Sequence, residues 1–339
     1  SDNAGLMDAT KLPGSTGRLL VKGTEAEGLN VAPALSPDGK KFLFLSSRDL
    51  FSIELYLSDT ATGKIKRKVT QTAVDTKFQS IQFIYSAGSW NLAGDRFVFG
   101  AVSAAKPVLA FLDGDGKKLD EDIRFENLGE ILNPTWSPDG KKIAFSALAG
   151  GFSDIYIYDL ATKELKNMTS DPFGDLQPAW APDGRAIAFV TERFTAQLTD
   201  RLVSTGGYRL ATLDPGTGEV TVLPTFKEGK SINPQWSSDS RSLFFVSDQN
   251  GISNIYRYDL ASKGIRQITN LYTGVSGITD LSPTLSIAAK SNDLLYSVYN
   301  EGNYSIYTIE PKDLLVGNPV NETALNTTPA VLSPRERQG

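Results

Sequence analysis

A ten-residue phrase recurs along this 339-residue chain and indicates a repeat protein. The fullest copy is WSPDGKKIAF at residues 136–145, and five further copies are more or less complete. The spacing between copies is 44 to 56 residues, which is typical of repeat proteins that assemble one supersecondary unit several times. We call the first residue of each copy the anchor, and the predicted anchors are Leu35, Trp90, Trp136, Trp180, Trp236 and Leu281.

Each repeat predicts four short strands. Pro-Asp-Gly is a tight turn, because Pro fixes φ, Asp hydrogen-bonds to its own backbone and Gly accepts a positive φ. A short apolar run follows at residues 142–146, and an alternating run follows at 154–160. A polar turn then leads to an edge strand that ends at Thr169. Six such repeats predict an all-β fold, a six-bladed β-propeller with four-stranded antiparallel blades.

The sixth repeat has only three clear strands, and an extra strand precedes the first repeat. Residues 17–23 contain Leu19, Leu20 and Val21 where no blade needs them. We therefore expect this N-terminal strand to close the last blade and so remove an exposed edge. The predicted domains are an N-terminal extension at 1–17, the propeller at 18–315 and a linker or tail at 316–339. Both ends are expected to be cut from a longer protein.

Composition excludes several kinds of chemistry. The chain has no cysteine, so disulfides and thiolate catalysis are excluded, and it has no histidine, which removes the Ser-His-Asp triad and His-bearing zinc sites. Carboxylate pairs and oxygen-ligated metals stay possible. The net charge of −5 argues against nucleic acid as a partner. No run of 18 apolar residues is present, so no transmembrane helix is predicted.

The phrase WSPDGKKIAF followed by DIYIYDL at 154–160 resembles the TolB-like propeller repeat, a WD40-like or PD40 repeat. The resemblance covers residues 18 to 312. It implies the same six-bladed fold and, for function, protein contacts in bacterial envelope assemblies or a position beside a peptidase domain.

A narrower resemblance rests on residues 83–90, 189–195 and 273–279. They are similar to propellers inside large bacterial envelope proteins that carry a gluzincin-like peptidase domain. This resemblance implies that any zinc chemistry lies outside these residues, because the chain has no histidine to carry it. It also implies a location in the bacterial periplasm, at the outer membrane or outside the cell.

Three segments carry candidate partner-binding residues. The link between the third and fourth repeats contains Asp171, Phe173 and Asp175, and Phe173 is predicted to be an exposed contact residue. Long segments at 191–208 and 70–90 interrupt the repeat, and long loops on a rigid scaffold often carry binding sites. Their candidates are Arg193 and Phe194 in the first segment, and Lys77 and Phe78 in the second.

Other recurring residues have structural interpretations. Asn133, Gln177 and Asn233 share one register before the anchors and are predicted to line the central channel. The tryptophans at the anchors are predicted to pack between blades rather than to stack on sugars. The aspartates of the turns, Asp38, Asp139, Asp183 and Asp239, are explained by turn formation rather than metal binding. Residues 113–122 partly match a calcium loop, but an exposed hairpin turn explains them better.

These features favour a non-catalytic protein-interaction scaffold that binds other envelope proteins or neighbouring domains of the same polypeptide. One alternative is a propeller hydrolase or lyase that acts on glycan or peptide with paired carboxylates, or a propeller that gates an adjacent peptidase domain. Another is a channel that binds a cation or small ligand. No cofactor and no catalytic residue are predicted, and the channel cation is left open.

Overall fold

The computed structural model describes residues 17–24, 28–48, 53–69, 80–81, 88–193, 207–271, 273–300, 302–310 and 316–320. Within these ranges the chain forms six antiparallel sheets and no helix. The innermost strands of successive sheets contact one another in order, and the innermost strand of the sixth sheet contacts that of the first. The sheets are therefore the blades of a closed six-bladed propeller, as the repeat predicts.

The strands follow the four-per-repeat pattern, and their bounds by blade are as follows. Blade 1 contains β2 (Asn30–Leu35), β3 (Lys41–Ser46), β4 (Glu54–Asp59) and β5 (Ile65–Lys68). Blade 2 contains β6 (Ser80–Ile81), β7 (Ser89–Trp90), β8 (Arg96–Ser103), β9 (Lys106–Asp113) and β10 (Lys118–Arg124). Blade 3 contains β11 (Ile131–Trp136), β12 (Lys142–Ala149), β13 (Phe152–Asp159) and β14 (Leu165–Asn167).

The second half of the ring repeats this order. Blade 4 contains β15 (Asp175–Trp180), β16 (Ile187–Thr191), β17 (Arg209–Leu213) and β18 (Val220–Val222). Blade 5 contains β19 (Ser231–Trp236), β20 (Ser242–Ser247), β21 (Asn254–Asp259) and β22 (Ile265–Gln267), with β26 (Asn318–Pro319) at its outer edge. Blade 6 contains β23 (Leu285–Ile287), β24 (Leu294–Asn300), β25 (Asn303–Ile309) and β1 (Arg18–Val21).

The Ser-Pro-Asp-Gly turns join each innermost strand to the next strand of its blade. In blade 3 the Ser137 hydroxyl donates to Asp139 Oδ1 at 2.6 Å, and that carboxylate also accepts the Lys141 N–H at 3.0 Å. These two hydrogen bonds hold the pKa of Asp139 below its usual range. The carboxylates of Asp38 and Asp239 accept hydrogen bonds from the equivalent serines. The predicted turn role of these aspartates is confirmed.

All these turns lie on one side of the ring, which we call the turn face. The segments that lead from the outer strand of one blade to the innermost strand of the next lie on the opposite side, the link face. Neighbouring turns contact one another across blades. The Asn292 side chain binds the backbone N–H and hydroxyl of Ser238, and the Ser240 hydroxyl accepts the Asp183 N–H. These bonds fix adjacent blades to each other around the turn face.

The alternating third strand of each blade is buried on both sides. In β13, Ile155 and Ile157 pack against blade 4, where they meet Phe189. Tyr156 and Tyr158 point the other way and join a cluster with Phe125 toward blade 2. A strand in the middle of a ring of packed blades has an apolar neighbour on each face. The Ile-Tyr alternation therefore reflects two packing interfaces, not one buried and one exposed face.

Ring closure by the N-terminal strand is confirmed. Strand β1 pairs antiparallel with β25, with Leu19 opposite Tyr307. Leu20 and Val21 are buried in a cluster that unites Phe42 of blade 1 with Leu295 of blade 6. Each such buried aliphatic side chain stabilises the fold by about 1.5–3 kcal/mol. The Arg18 guanidinium also donates to the carbonyl oxygens of Thr60 and Ala61, in the outer turn of blade 1.

The predicted sixth anchor at Leu281 is wrong. After each of the other anchors, the next backbone N–H donates to the carbonyl five residues on, as Ser237 does to Ser242. In blade 6 this bond joins Ala288 to Asp293, so the anchor is Ile287. Ser282-Pro283 resembles the start of the turn phrase, but it lies before β23. Blade 6 has lost the Trp and the Pro-Asp-Gly letters and kept only the hydrogen bonds of the turn.

The sequence predicts an exposed hairpin turn within residues 113–122. Residues 113–116 form the turn of the β9–β10 hairpin, where the Asp113 side chain accepts the N–H groups of Asp115 and Lys117. The hairpin interpretation of this segment is confirmed.

Near the end of the chain, β26 pairs with β22, and the Val320 N–H donates to the Ile265 carbonyl. This pairing adds a fifth strand to blade 5 within the segment expected to be a linker.

The contact between β1 and blade 1 predicts an effect of a single methyl group. A Cβ on Gly63 would lie 2.1 Å from the Leu20 carbonyl oxygen, whereas a Cβ on Gly140 would meet nothing within 4 Å. Both glycines have a φ of +70°, so the backbone strain of an alanine is matched. We expect G63A to lose about 1–3 kcal/mol more unfolding free energy than G140A in denaturant titrations. Equal losses of unfolding free energy in the two variants would show that β1 does not pack tightly against blade 1.

Candidate functional site

A cavity of about 150 Å³ lies at the centre of the ring, open toward the turn face. It is lined by the ends of the innermost strands and by the first residues of the turns that follow them. Prolines recur in this lining two residues before an anchor and two residues after one. They are Pro33, Pro37, Pro134, Pro138, Pro178 and Pro182.

The cavity is uncharged. Among the described residues that line it, none is Asp, Glu, Lys or Arg. Its polar groups are the amides of Asn133, Gln177, Asn233 and Gln235, together with a few hydroxyls. General acid–base catalysis needs a titratable group in reach of the substrate, and the described lining offers none. The surface is suited to binding a neutral, partly apolar ligand.

The four tryptophans pack between blades as predicted. Trp90, Trp136 and Trp236 are buried. The Trp90 indole N–H donates to the Ala34 carbonyl of blade 1, and the Trp236 indole N–H donates to the Ala179 carbonyl of blade 4. These two bonds tie Trp90 and Trp236 to the preceding blade, whereas the buried indole N–H of Trp136 has no hydrogen-bond partner among the described residues.

Trp180 departs from this pattern. It is half-buried, and its indole N–H approaches Gly184 O of its own turn at 3.4 Å instead of reaching the preceding blade. Trp180 still packs against the cluster between blades 3 and 4, as predicted, but it is more exposed than the other three tryptophans. Its ring is an accessible aromatic surface in the cavity lining.

Asn133, Gln177 and Asn233 lie in the cavity lining, at a bulge in each innermost strand. Their φ angles are between +50° and +54°, in the left-handed region. Ala32 occupies the same position in blade 1 with a φ of +51°. Asn tolerates this region better than most residues do. The bulge turns these side chains out of the normal strand alternation and toward the channel.

Two of these amides bridge blades. Gln177 Nε2 donates to the Leu281 carbonyl, and Gln177 Oε1 accepts the Asn233 N–H at 2.7 Å. Asn233 Oδ1 accepts the N–H groups of Thr284 and Leu285, each at 2.8 Å. Both amide oxygens are therefore already used by the backbone of the next blade. Their role as ligands in the channel stays a prediction, as does the channel cation.

The predicted partner-binding residues of the third link form one cluster on the link face. Asp175 Oδ1 accepts Arg193 Nη1 at 2.6 Å, and Asp171 Oδ2 accepts Arg193 Nε at 3.1 Å and also Nη2. The Arg193 guanidinium lies 5.6 Å from the Phe173 ring centroid. The Asp175 side chain is fully buried, and that of Arg193 is 13% exposed.

The electrostatics of this cluster follow from its burial. Loss of water around Asp175 raises its pKa, and the hydrogen bond from Arg193 opposes that rise. Phe173 is half-buried against Arg193, and its role as a partner contact stays a prediction. Asp175 begins an innermost strand, and its buried carboxylate holds Arg193 next to Phe173. Phe194, Lys77 and Phe78 lie outside the described residues.

Comparison with known proteins agrees with this architecture. The family model described as the TolB beta propeller domain, PD40, matches residues 89–219, which run from blade 2 into blade 4. Over these residues the chain is similar to the TolB β-propeller, so we call it a TolB-like propeller.

Curated relatives of the TolB-like propeller match part of their length. The Tol-Pal system protein TolB of Xanthomonas oryzae is 32% identical over 108 residues, which cover 32% of this chain and 24% of that protein. The protein of the same name from Francisella tularensis is 27% identical over 248 residues, covering 68% of this chain and 52% of that protein. The chain thus spans a quarter to a half of these relatives.

Solved structures share the fold of the TolB-like propeller at low identity. A putative TolB from Agrobacterium tumefaciens has a TM-score of 0.60 at 19% identity, covering 84% of this chain and 90% of that chain. An oligogalacturonate lyase in complex with manganese has a TM-score of 0.54 at 13% identity, with coverage of 89% and 100%. The propeller of the Trilobed protease from Pyrococcus furiosus has a TM-score of 0.52 at 15% identity, with coverage of 84% and 82%.

The protease propeller is described as having an open velcro topology, whereas β1 closes the ring of this TolB-like propeller. In the described part of the chain, no helix is long and apolar enough to cross a membrane. The same residues contain no group of three or more carboxylates placed to hold a metal ion.

Sequence-based prediction missed the proline ring and the accessible Trp180. A signal for the ring was present, because Pro recurs two residues before the anchors at Pro33, Pro134, Pro178 and Pro234. The exposure of Trp180 has no signal in the repeat, since its phrase is almost the same as that of Trp136.

The Arg193 cluster of the TolB-like propeller predicts a large loss of stability in R193M. That variant leaves the Asp175 charge buried without its partner, which typically costs about 3–5 kcal/mol of unfolding free energy. The double variant D175N/R193M is the control, because an amide has no charge to compensate. We expect it to recover a substantial part of the loss in denaturant titrations.

The loss in R193M is also expected to depend on pH. Without Arg193 the pKa of Asp175 rises further, and a carboxyl with a raised folded-state pKa loses stability as the pH rises above its unfolded value. The deficit of R193M relative to the double variant should therefore shrink between about pH 7 and about pH 5. A pH-independent deficit, or a stable R193M, would contradict the structural role and favour partner binding by Arg193.

Proposed function

We propose that this TolB-like propeller is a non-catalytic protein-interaction scaffold of the bacterial envelope. Its partners would be other envelope proteins or neighbouring domains of the same polypeptide, in the periplasm, at the outer membrane or outside the cell. The names of the curated relatives support this proposal, since they are Tol-Pal system proteins.

The observation that carries the proposal is the uncharged central cavity. Prolines, the accessible ring of Trp180 and neutral amides form a surface for an extended peptide segment. Aromatic side chains are enriched where proteins bind one another, and charged side chains are depleted at the centre of such contacts. The turn contacts between blades keep the cavity preformed, so that little conformational entropy is lost on binding.

The lining argues against the lyase alternative. An acidic sugar polymer needs cationic side chains, and the described lining has none. Manganese is suited to carboxylate, carbonyl or water ligands, yet no carboxylate is present among those residues. The side-chain oxygens of Gln177 and Asn233 already accept backbone N–H groups. The described residues therefore do not fit the metal of the lyase. The peptidase-gating alternative stays a prediction, because the similarity to the protease propeller is at 15% identity and shows only the fold.

The proposal predicts that partner capture depends on Trp180. Immobilised propeller is exposed to a bacterial envelope extract, and bound proteins are identified by mass spectrometry. We expect W180A to capture at least about tenfold less of a bound protein than the wild type does, because removal of a central aromatic contact typically weakens binding by that much. L165A is the control, because Leu165 is an exposed apolar residue on an outer strand, away from the cavity. Thermal unfolding of both variants checks that the fold is retained.

A synthetic peptide from the captured protein then measures affinity by fluorescence anisotropy. Equal capture by wild type and W180A would contradict the cavity as the binding site. Cleavage of a pectate or peptide panel by the purified wild-type chain would contradict the non-catalytic role.

A further inference from the structure

A second, smaller cavity lies on the link face between blades 5 and 6. It has a volume of about 140 Å³ and a chemistry unlike that of the central cavity. Its apolar floor is made of Ile232, Val246 and Val275, each at most 3% exposed. It is also lined by Lys230, by Asp280 and by several hydroxyl groups, including the buried one of Thr284. An ammonium and hydroxyls above an apolar floor suit a ligand with a negative head and a short aliphatic body.

The ammonium of Lys230 is held at the rim with an exchangeable counter-ion. Its side chain is 18% exposed, and Nζ donates to the Asp280 backbone carbonyl at 2.9 Å. The Asp280 carboxylate is 3.6 Å away and 99% exposed. An ion pair with one fully hydrated partner contributes little stability, typically about 0–1 kcal/mol. A carboxylate inside the cavity would be less hydrated and would replace that of Asp280 against Lys230.

The Thr284 hydroxyl supplies a second, independent indication of a ligand. Thr284 is 4% exposed, and its Oγ1 has no hydrogen-bond partner among the described residues. A buried polar atom left without a partner costs about 1–3 kcal/mol. The backbone N–H of Thr284 is already bound by Asn233 Oδ1, so the hydroxyl is the group left for a ligand.

The walls of this cavity are preformed. A Cβ on Gly277 would lie 2.4 Å from the Ser282 Cβ and 3.0 Å from the Thr284 Cγ2, so the loop packs as closely as a glycine permits. The Tyr304 hydroxyl donates to the Gly277 carbonyl at 3.0 Å, and the Val275 N–H donates to the Ser253 carbonyl at 2.7 Å. A rigid pocket loses little entropy when a ligand enters it.

We propose that the cavity between blades 5 and 6 binds a carboxylate with a short aliphatic chain. The carboxylate lies against Lys230 and accepts the Thr284 hydroxyl, and the aliphatic part contacts Ile232, Val246 and Val275. A single ammonium matches the single charge of a carboxylate better than that of a phosphate dianion. The same chemistry occurs at the C-terminus of a peptide that ends in a small apolar residue, and in a free short-chain acid. This site lies on the opposite face from the central cavity and does not depend on the proposed function.

The test is a titration of the full chain with isotope-labelled isoleucine methyl groups, in which Ile232 and Ile278 report on the cavity. The probes are a peptide ending in valine with a free carboxylate, the same peptide with a C-terminal amide, and isovalerate. We expect the free-carboxylate peptide to shift these signals and the amide to bind at least about tenfold more weakly. Isovalerate as the tighter ligand would identify a free acid as the source. No shift with either carboxylate at millimolar concentration would overturn the proposal.

Three variants separate binding from folding. K230M should bind at least about tenfold more weakly, whereas K227M, a change of the same charge at an exposed position of the same link, should bind normally. D280N should bind about two- to fivefold more tightly, because the competing carboxylate is gone while the backbone carbonyl that holds Lys230 is kept.

T284V keeps the shape of the side chain and removes only the hydroxyl. Because that hydroxyl has no partner among the described residues, the melting temperature should be unchanged or higher, while affinity falls about five- to tenfold. Unchanged affinity in T284V or in K230M would contradict the proposed contacts, since neither result can be attributed to unfolding.

Discussion

The pairing of β1 with β25 holds the ring of six blades closed. Blades 1 to 4 are built from consecutive strands and blade 5 adds only β26 to its four consecutive strands, but blade 6 takes its outer strand from the start of the chain. The segment after Val21 then leads directly into β2 of blade 1. Blades 1 and 6 are therefore joined both by hydrogen bonds and by the chain itself, and the ring cannot open without breaking a sheet. A central cavity with a defined width exists only because the ring is closed.

Closure also explains why the two faces of the ring differ. On the turn face, short turns of similar length meet their neighbours, and bonds such as that between Asn292 and Ser238 fix their spacing. On the link face, segments of unequal length cross from blade to blade. Each needs its own means of attachment, such as Arg193 with Asp175 or Lys230 with the Asp280 carbonyl. The regular turns thus surround one central cavity, and the unequal links form smaller local cavities.

The sequence was sufficient to predict the fold, because each copy of the repeat contains the residues that form its turn and its strands. The Ser137-Asp139 hydrogen bond and the Ile-Tyr alternation of β13 are local consequences of the residues that spell the phrase. The sixth anchor could not be located in this way, because Ile287 and Ala288 keep the turn without its usual residues. Likewise, the burial of Phe173 depends on Arg193, which is 20 residues away and belongs to another strand end. A repeat pattern does not predict contacts between residues that occupy different positions in the repeat.

Functional residues are best sought where a position departs from its repeat equivalents. Trp90, Trp136 and Trp236 are buried, and Trp90 and Trp236 donate their indole N–H groups to the preceding blade. Trp180 occupies the same position in the cavity lining, is the most exposed of the four anchor tryptophans, and donates its indole N–H to its own turn. Thr284 stands where blades 3 and 5 have Asn133 and Asn233, and it has a buried hydroxyl in place of an amide that reaches a neighbour. In a ring of near-identical units, packing and closure account for the residues that repeat. A residue that breaks the pattern and leaves a surface or a polar atom unused has no such structural explanation, and binding is the explanation that physical chemistry supplies.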